Sequence, residues 1–386
     1  MSIEIIFNKA VRAYAEGEIG VAETLFRQLE QLDDENAPVL YFLGLIALDR
    51  GAYEAASSFL FRAHDLDREN KDYLYSLAVA QQELGHLEEA ENIYKKLKEM
   101  PEALNNLGNL YMKQGALTKA RKAFEEGKEK AEDTRWFELN LAVLDLAEDE
   151  TQNAIKRLKK LLKEADDFKE GWYQLGKIYM QNRRFKEARE CFETAVALEE
   201  RPAFLDAVGE TYLMKNEFQE ALPWFDKALS IDSLYYPAMF HSGLAYESLK
   251  KDNEAEKSYR DALRCRPDLD NALNNLGGLL YRQGRTQEAL EMYRKVLTVN
   301  ASHIGACFNL ALILKDLEEF EEASGLFLNV LALDRGLSEP HKHLAEILKK
   351  WPDKGKAKVY AKGWLKHFPD NKYAKATMTL FSEGNA

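Results

Sequence analysis

One feature of the sequence restricts the fold more than any other: an alanine that recurs at a nearly constant interval along the whole chain. The interval is 34 residues, apart from one step of 30 and one of 33. The recurring residues are Ala22, Ala56, Ala90, Ala120, Ala154, Ala188, Ala221, Ala255, Ala289, Ala323 and Ala357. A fixed period of this length indicates tandem copies of one small structural motif.

Two further positions repeat in phase with the alanine. A Gly or Ala lies twelve residues before it in every copy, as at Gly108, and a bulky apolar residue lies four residues after it, as at Phe124. Only the last copy, with Ala361, lacks the bulky residue. A spacing of four places two side chains on one helical face, and small residues let two helices approach closely. Each copy is therefore predicted to form a helix, a tight turn and a second helix.

The copies resemble the tetratricopeptide repeat. The segment from Trp172 to Tyr179, followed by Ala188 and Phe192, places a large residue, Leu-Gly, Tyr, Ala and Phe at that family's offsets. The resemblance extends over residues 3–371 and implies an all-α fold, a right-handed superhelical solenoid of about eleven helix-turn-helix repeats. The predicted repeats lie near 3–36, 37–70, 71–100, 101–134, 135–168, 169–201, 202–235, 236–269, 270–303, 304–337 and 338–371. Residues 372–386 are predicted to form a capping helix and a frayed tail.

Two repeats depart from the pattern. The repeat at 71–100 is four residues short, about one helical turn, and Pro101 follows it at a position suited to open a helix. The segment Glu148-Asp149-Glu150 is acidic and lacks the glycine that other turns contain, such as Gly115.

Composition excludes several classes of function. The net charge of −12 argues against a general nucleic-acid-binding surface, which needs a basic stripe. The N-terminal residues lack the basic start and long apolar run of a signal peptide, and no segment has the apolar length of a transmembrane helix. We therefore expect a soluble cytoplasmic chain. The cysteines Cys191, Cys265 and Cys307 are interpreted as reduced core thiols.

The resemblance places the first helix of each repeat on a concave face. Two residues before the small position, most repeats have an uncharged polar residue, and we name six of these the amide column: Asn106, Asn140, Gln174, His241, Asn275 and Asn309. Side-chain amides can pair with any peptide backbone. The column resembles the asparagine ladder in the repeat arm of O-GlcNAc transferases, which implies binding of an extended peptide, although Phe42 and Ala207 interrupt it. The alternative is that Asn-Asn-Leu-Gly is a common repeat motif without a binding role.

One residue earlier lies a second set, which we name the flanking column: Tyr41, Tyr75, Asn105, Tyr173 and Asn274. Aromatic side chains on a concave wall are typical anchors for a partner's apolar groups. Other repeats have Phe7, Phe240 and Phe308 at this position, and we expect Tyr41, Tyr75 and Tyr173 to be the most exposed of these aromatics. The alternative is that several pack into the core between helices.

The sequence has no phosphate-binding glycine loop, HExxH pattern, nucleophile elbow or paired-cysteine zinc signature, which argues against an enzyme. His341, His343 and Glu346 are the nearest to a metal-ligand set, but residues two apart point to different sides of a helix. No cofactor and no metal is therefore predicted.

Three functional hypotheses remain. The first is a non-enzymatic scaffold that binds a partner protein or peptide in the groove. The second is a self-assembling structural or coat component, whose basic segment at Lys342–Lys375 contacts another copy; the alternatives for that segment are a solvated cap, or a contact with an anionic partner or a membrane surface. The third is the recognition subunit of an enzyme complex such as a glycosyltransferase.

Overall fold

The computed structural model describes residues 2–383, and within that range it contains 23 helices and no strand. The first helices of the eleven repeats are α1 (Ile3–Ala15), α3 (Ala37–Asp49), α5 (Lys71–Glu83), α7 (Pro101–Lys113), α9 (Arg135–Ala147), α11 (Lys169–Gln181), α13 (Pro202–Met214), α15 (Tyr236–Ser248), α17 (Asp270–Arg282), α19 (Ile304–Asp316) and α21 (Glu339–Lys350). The second helices are α2 (Ile19–Leu32), α4 (Tyr53–Leu66), α6 (Leu87–Lys96), α8 (Leu117–Lys130), α10 (Thr151–Glu164), α12 (Phe185–Leu198), α14 (Phe218–Ile231), α16 (Asp252–Cys265), α18 (Thr286–Val299), α20 (Phe320–Leu333) and α22 (Lys354–His367), and α23 (Lys372–Glu383) follows them. The prediction of an all-α fold built from helix-turn-helix pairs is confirmed.

The four residues missing from the repeat at 71–100 are missing from its second helix. The helix α6 has 10 residues, whereas the neighbouring second helices α4 and α8 have 14 each. It ends at Lys96, and Pro101 then occupies the first turn of α7. Proline is tolerated there because the first helical N–H groups have no partner within the helix.

In at least five pairs a bulky side chain of the second helix packs directly on a glycine of the first helix. A Cβ atom added to Gly108 would lie 2.3 Å from Cε1 of Phe124, and one added to Gly209 would lie 2.4 Å from Cε1 of Phe225. Both rings are fully buried. The same partners recur sixteen residues apart, in Gly44 with Leu60, Gly243 with Tyr259 and Gly277 with Tyr293. Glycine is needed at the tightest of these contacts because a methyl group has no space there.

In ten of the eleven pairs the turn contains one residue in the left-handed conformation. Five of these positions are glycine, namely Gly17, Gly51, Gly85, Gly115 and Gly284. Five others have a side chain, namely Asp149, Arg183, Asn216, Lys250 and Glu318. The absence of glycine at residues 148–150 therefore leaves the turn geometry unchanged, and Asp149 adopts a φ of 61°.

The chain divides into two compact units, Met1–Ile178 and Tyr179–Ala386, with the boundary inside α11. Within each unit successive pairs stack on one another. First helices of neighbouring repeats also contact each other directly: α3 with α5 and α7 with α9 in one unit, and α13 with α15, α17 with α19 and α19 with α21 in the other. Side chains of the amide and flanking columns therefore face residues of the neighbouring repeat.

The last repeat compensates for its missing bulky residue. Ala361 is fully buried, and the indole of Trp364, also fully buried, occupies the space three residues further on. Its Nε1 donates a hydrogen bond to Nδ1 of His341 at 2.9 Å. The helix α23 packs against α21 and α22 and buries Ala374 and Thr377.

The three cysteines are all free, but they do not share one environment. Cys191 and Cys307 are buried, as expected for core thiols. The prediction was wrong for Cys265, which is exposed because it is the last residue of α16, where the helix leaves its packed face. Burial raises the pKa of the Cys307 thiol.

Candidate functional site

All eleven residues predicted to contact a partner lie on first helices, and each is half-buried. Partial burial has a physical cause at this position. The small residue that follows two or three positions later faces the second helix, so the side chains before it point obliquely, toward the neighbouring repeat and the solvent. Such a side chain can contact its own fold and a ligand at once.

The two columns pair with each other across repeats. Nδ2 of Asn140 donates a hydrogen bond to Oδ1 of Asn105 at 2.7 Å, and Nδ2 of Asn309 donates to Oδ1 of Asn274 at 3.4 Å. In both cases a flanking-column residue of one repeat contacts the amide-column position of the next, 35 residues later. The asparagines therefore contribute to the stacking of neighbouring repeats.

Other residue types form the same contact. Oδ1 of Asp206 lies 2.8 Å from Nδ1 of His241, again with a separation of 35 residues. The rings of Phe7 and Phe42 meet edge to face at 6.0 Å. The contact depends on position along the repeat and not on the chemistry of the side chains. It was not predicted from the sequence, although the constant separation of 35 residues was present there as a signal.

The short repeat preserves the contact with a separation of 31 residues. Nδ2 of Asn106 donates a hydrogen bond to Oη of Tyr75 at 3.0 Å and lies 3.4 Å from Oη of Tyr94. Burial raises the pKa of Tyr75, and the hydrogen bond from Asn106 acts in the opposite direction. The removal of four residues from α6 thus changes the spacing along the chain but leaves this pairing in place.

His241 is the most constrained of the predicted residues. Its ring lies between those of Phe225 and Phe240, at centroid distances of 5.7 and 5.6 Å. Burial alone lowers its pKa, but the hydrogen bond with Asp206 and the negative charges of Asp206 and Glu210 raise it above the ordinary value of 6.5. Burial also raises the pKa of Glu210. His241 therefore acts first as a contact between α13 and α15.

The other predicted residues also lie partly against the fold. Nδ2 of Asn274 donates to Oδ1 of Asn275 at 3.2 Å. The ring of Tyr41 packs on Tyr73, with centroids 4.8 Å apart. Lys177 lies over the ring of Tyr173, and Gln174 is half-buried. Tyr41, Tyr75 and Tyr173, which were expected to be the most exposed aromatics, are half-buried, as are Phe7, Phe240 and Phe308 at the same position of other repeats.

A cavity of about 510 Å³ opens beside part of this site. Its lining residues are Tyr75, Pro101, Glu102, Asn105, Asn106, Lys130, Ala131, Glu132, Asp133, Trp136 and Phe137. Three of them belong to the two columns. Trp136, which was not among the predicted residues, is 48% exposed. The only sequence signal for it was a tryptophan in the first turn of a first helix.

A group of ionic side chains lies between α8, α9 and α10. Arg121 contacts Asp145 and Glu148, and Arg157 contacts Asp145 and Glu138. Carboxylate oxygens of Asp145, Glu148 and Glu150 lie within 4.8 Å of one another. Because two guanidinium groups already bind the buried Asp145, we interpret this group as an ion-pair network between neighbouring helices.

The histidines weighed as metal ligands have different surroundings. His341 is buried, burial lowers its pKa, and its Nδ1 accepts the hydrogen bond from Trp364. Nδ1 of His343 lies 3.1 Å from Nζ of Lys315, and its ring stacks on Phe327.

Within residues 2–383 no helix is both long and apolar enough to cross a bilayer.

Comparison with protein families supports the repeat assignment. Several models described as "Tetratricopeptide repeat" match residues 7–67, 72–97, 101–133, 169–201, 236–269, 271–306 and 306–340. The matches are distributed over both units and together cover most of the chain. They coincide with helix pairs of the structure.

Two relatives of known name match parts of the chain. This chain is 26% identical over 172 residues to Protein bimA of Emericella nidulans. The matched region covers 44% of this chain and 21% of that protein. The chain is 34% identical over 103 residues to the probable UDP-N-acetylglucosamine–peptide N-acetylglucosaminyltransferase SPINDLY of Arabidopsis thaliana, which covers 27% of this chain and 11% of the other. The chain thus spans about a fifth or less of these relatives.

A crystal structure of a tetratricopeptide repeat protein from Parabacteroides merdae superimposes with a TM-score of 0.53 at 21% identity. The superposition covers 63% of this chain and 98% of that protein. At this level of identity the likeness concerns the fold.

Proposed function

We infer that this chain, which belongs to the tetratricopeptide repeat family, is a non-enzymatic scaffold that binds an extended segment of a partner protein along its first helices. One observation carries this inference: the amides of the two columns are half-buried and use only part of their hydrogen-bonding capacity within the fold.

The pair Asn105–Asn140 illustrates the remaining capacity. Nδ2 of Asn140 and Oδ1 of Asn105 are engaged with each other. Each amide also has a second polar end, so the pair offers an N–H donor from Asn105 and an acceptor from Asn140. A peptide main chain presents a carbonyl and an N–H in alternation. The pair is therefore complementary to a peptide backbone of any sequence, and its mutual hydrogen bond holds it in position.

The test is a selection of binders from a phage library of random peptides, followed by fluorescence anisotropy with the selected peptides. In the column variant, Asn106, Asn140, Asn275 and Asn309 are replaced by alanine. We expect the affinity to fall at least about tenfold, because each lost hydrogen bond contributes roughly 1 kcal/mol.

The matched control replaces four exposed amides of second helices, Gln28, Gln152, Asn253 and Gln287, by alanine. It should keep the wild-type affinity, and circular dichroism should show equal helicity for both variants. Peptides that bind the column variant as tightly as the wild type would refute the proposed role of the amides.

A second candidate function is self-assembly. The segment Lys342–Lys375 contains ten lysines and three acidic residues, in a chain with a net charge of −12. Four of these lysines, Lys354, Lys358, Lys362 and Lys366, recur every fourth residue along α22 and form one stripe. Such a basic stripe is complementary in charge to the rest of another copy, which is acidic outside the segment Lys342–Lys375.

The third hypothesis, a recognition subunit of a glycosyltransferase complex, has less support. The similarity to the SPINDLY protein covers 27% of this chain. That extent agrees with a shared repeat and carries no information about a shared reaction.

A further inference from the structure

The cavity that Tyr75 and Trp136 line lies beside the first turn of α7, the helix that follows the shortened helix α6. In α4 and α8 the last turn of a 14-residue second helix precedes the next first helix, but α6 ends after 10 residues. The first turn of α7, with Pro101 and Glu102, lines the cavity. Its N-cap residue Met100 provides no side-chain hydrogen bond. Since each residue adds about 1.5 Å, α6 is about 6 Å shorter than its neighbours, and Glu102 in the turn that follows it is exposed.

The cavity has a rigid aromatic wall. Trp136 is 48% exposed, and its ring packs edge to face on the buried ring of Phe168, at a centroid distance of 5.2 Å. On another side lies Tyr75, held by the hydrogen bond from Asn106. An exposed indole whose orientation is set by a buried neighbour can bind an apolar side chain with little loss of conformational entropy.

The polar groups of the cavity have capacity for a peptide main chain. Asn105 receives a hydrogen bond from Asn140 through Oδ1, and Asn106 donates to Tyr75 through Nδ2. The Nδ2 group of Asn105 and the Oδ1 atom of Asn106 are the opposite ends of these amides. They can bind a carbonyl and an N–H of a peptide that lies against the indole.

Two of the four charged side chains at the rim have no oppositely charged partner among residues 2–383. Asp133 is paired with Arg135, and Lys130 is paired with Glu99 and Glu126. Glu102 and Glu132 are exposed and have no ion pair among residues 2–383. The cavity therefore presents two free negative charges beside its aromatic wall and favours a cationic ligand.

We propose that this cavity binds a segment of the partner in which one large apolar side chain, Phe, Trp, Leu or Met, is flanked by Lys or Arg. The apolar side chain lies on Trp136, the main chain pairs with Asn105 and Asn106, and the basic residues pair with Glu102 and Glu132. The volume of about 510 Å³ is within the usual range of ligand cavities and accommodates one such side chain with its adjoining backbone. This inference rests on the proposed function and specifies one part of the groove.

The test follows the indole signals of tryptophan in ¹H–¹⁵N spectra of the full chain. The chain contains five tryptophans, so five signals are expected, and the variant W136F assigns that of Trp136. The probes are acetylated, amidated heptapeptides of sequence GSKFKSG, GSEFESG and GSKAKSG. We expect GSKFKSG to shift the Trp136 signal saturably, and the other two peptides to bind at least about tenfold more weakly, a difference of about 1.4 kcal/mol.

Two variants test the two parts of the site. W136A lacks the reporting signal, so its binding is followed through the backbone amide signals of the same spectra, and saturable shifts caused by GSKFKSG should be abolished. E102K/E132K should weaken binding of GSKFKSG about tenfold while strengthening binding of GSEFESG. The matched control E54K/E88K reverses two exposed charges of the same unit outside the cavity and should bind GSKFKSG like the wild type. Unchanged positions of the other four indole signals verify that each variant is folded.

Equal affinity for GSKFKSG and GSEFESG, or no saturable shift of the Trp136 signal up to about 5 mM peptide, an affinity of about 3 kcal/mol, would overturn the proposal. Such a result is distinguishable from failure of the proposed function. If the column variant no longer binds the library peptides and GSKFKSG does not bind the wild type, the proposed peptide-binding groove is supported and this cavity is excluded as its anchor site.

Discussion

At the scale of single residues, the small residue of the first helix has the same packing role in successive repeats, but the space around it differs. The small residue of the first helix receives the bulky residue of the second helix, and the available space differs between repeats. At Gly108 an added Cβ would meet Phe124 at 2.3 Å, whereas at Gly277 the nearest atom of Tyr293 is 3.0 Å away. The cost of a methyl group should therefore differ between positions that look equivalent in sequence.

We expect Gly108→Ala to lower the free energy of unfolding by roughly 1–3 kcal/mol, because the fully buried Phe124 must move. Gly277→Ala should cost less. Gly325→Ala is the matched control: no atom lies within 4 Å of its added Cβ, so alanine should stabilise α20 by up to about 1 kcal/mol. Urea denaturation measures all three, and equal effects at Gly108 and Gly277 would contradict the packing argument.

The pair Asp206–His241 links stability to pH. The folded-state pKa of His241 is raised above 6.5, so its stabilising contribution is complete below about pH 6.5 and is lost as the pH rises through the folded-state pKa. His241→Asn keeps a hydrogen-bonding side chain of the kind found at Asn140 and Asn309. We expect the urea midpoint of the wild type to fall as the pH rises above about 6.5, and that of the variant to fall less. Parallel pH profiles would show that His241 does not titrate in this range.

At the scale of helices and turns, length is more uniform than sequence. Each turn within ten of the pairs contains one residue with positive φ, whether or not that residue is glycine. At Glu318 the φ is 63° and the side chain is exposed. A side chain in this conformation costs about 1 kcal/mol relative to glycine, so the packing of α19 on α20 must impose it.

We expect Glu318→Gly to raise the free energy of unfolding by about 1 kcal/mol, because glycine adopts positive φ without steric cost. Asn216→Gly should give a smaller gain, since asparagine tolerates the left-handed region better than glutamate. The reciprocal variant Gly284→Ala should lose about 1 kcal/mol. Thermal unfolding compares the three, and a loss of stability in Glu318→Gly would mean that the glutamate side chain stabilises the turn.

At the scale of the whole molecule, charge is distributed unevenly. The basic segment Lys342–Lys375 belongs to a chain that is otherwise acidic. Most of its lysines are exposed, and some already pair within the unit, as Lys356 does with Glu321. Lys358, Lys362 and Lys366 form no ion pair within residues 2–383 and are available to another molecule.

The second candidate function makes a direct prediction about this segment. At about 20 mM salt the chain should associate, and at about 500 mM it should be monomeric, because the Debye length falls from about 20 Å to about 4 Å. Static light scattering measures the mass in both conditions. The variant K358E/K362E/K366E should be monomeric in both, and K257E/K295E, with the same kind of change on other second helices, is the control. A monomeric wild type at low salt would exclude self-assembly.

Most of the fold was predictable from the sequence because its determinants are local. The recurring alanine, the small residue and the bulky residue specify which faces of two adjacent helices meet, and these lie within about twenty residues of one another. The length of the deletion in the repeat at 71–100 was also readable, since helix geometry is periodic. Its place in α6 and the unchanged turn at Asp149 were found only in the structure.

Only the tertiary structure decided what the columns contact. Asn105 meets Asn140, and Asp206 meets His241, because neighbouring first helices lie at a particular offset and angle. Those parameters result from the packing of many side chains at once and are not encoded in any single spacing. The same reason explains why the exposure of Trp136 and the cavity beside α7 could not be foreseen: they depend on how one repeat lies against the next.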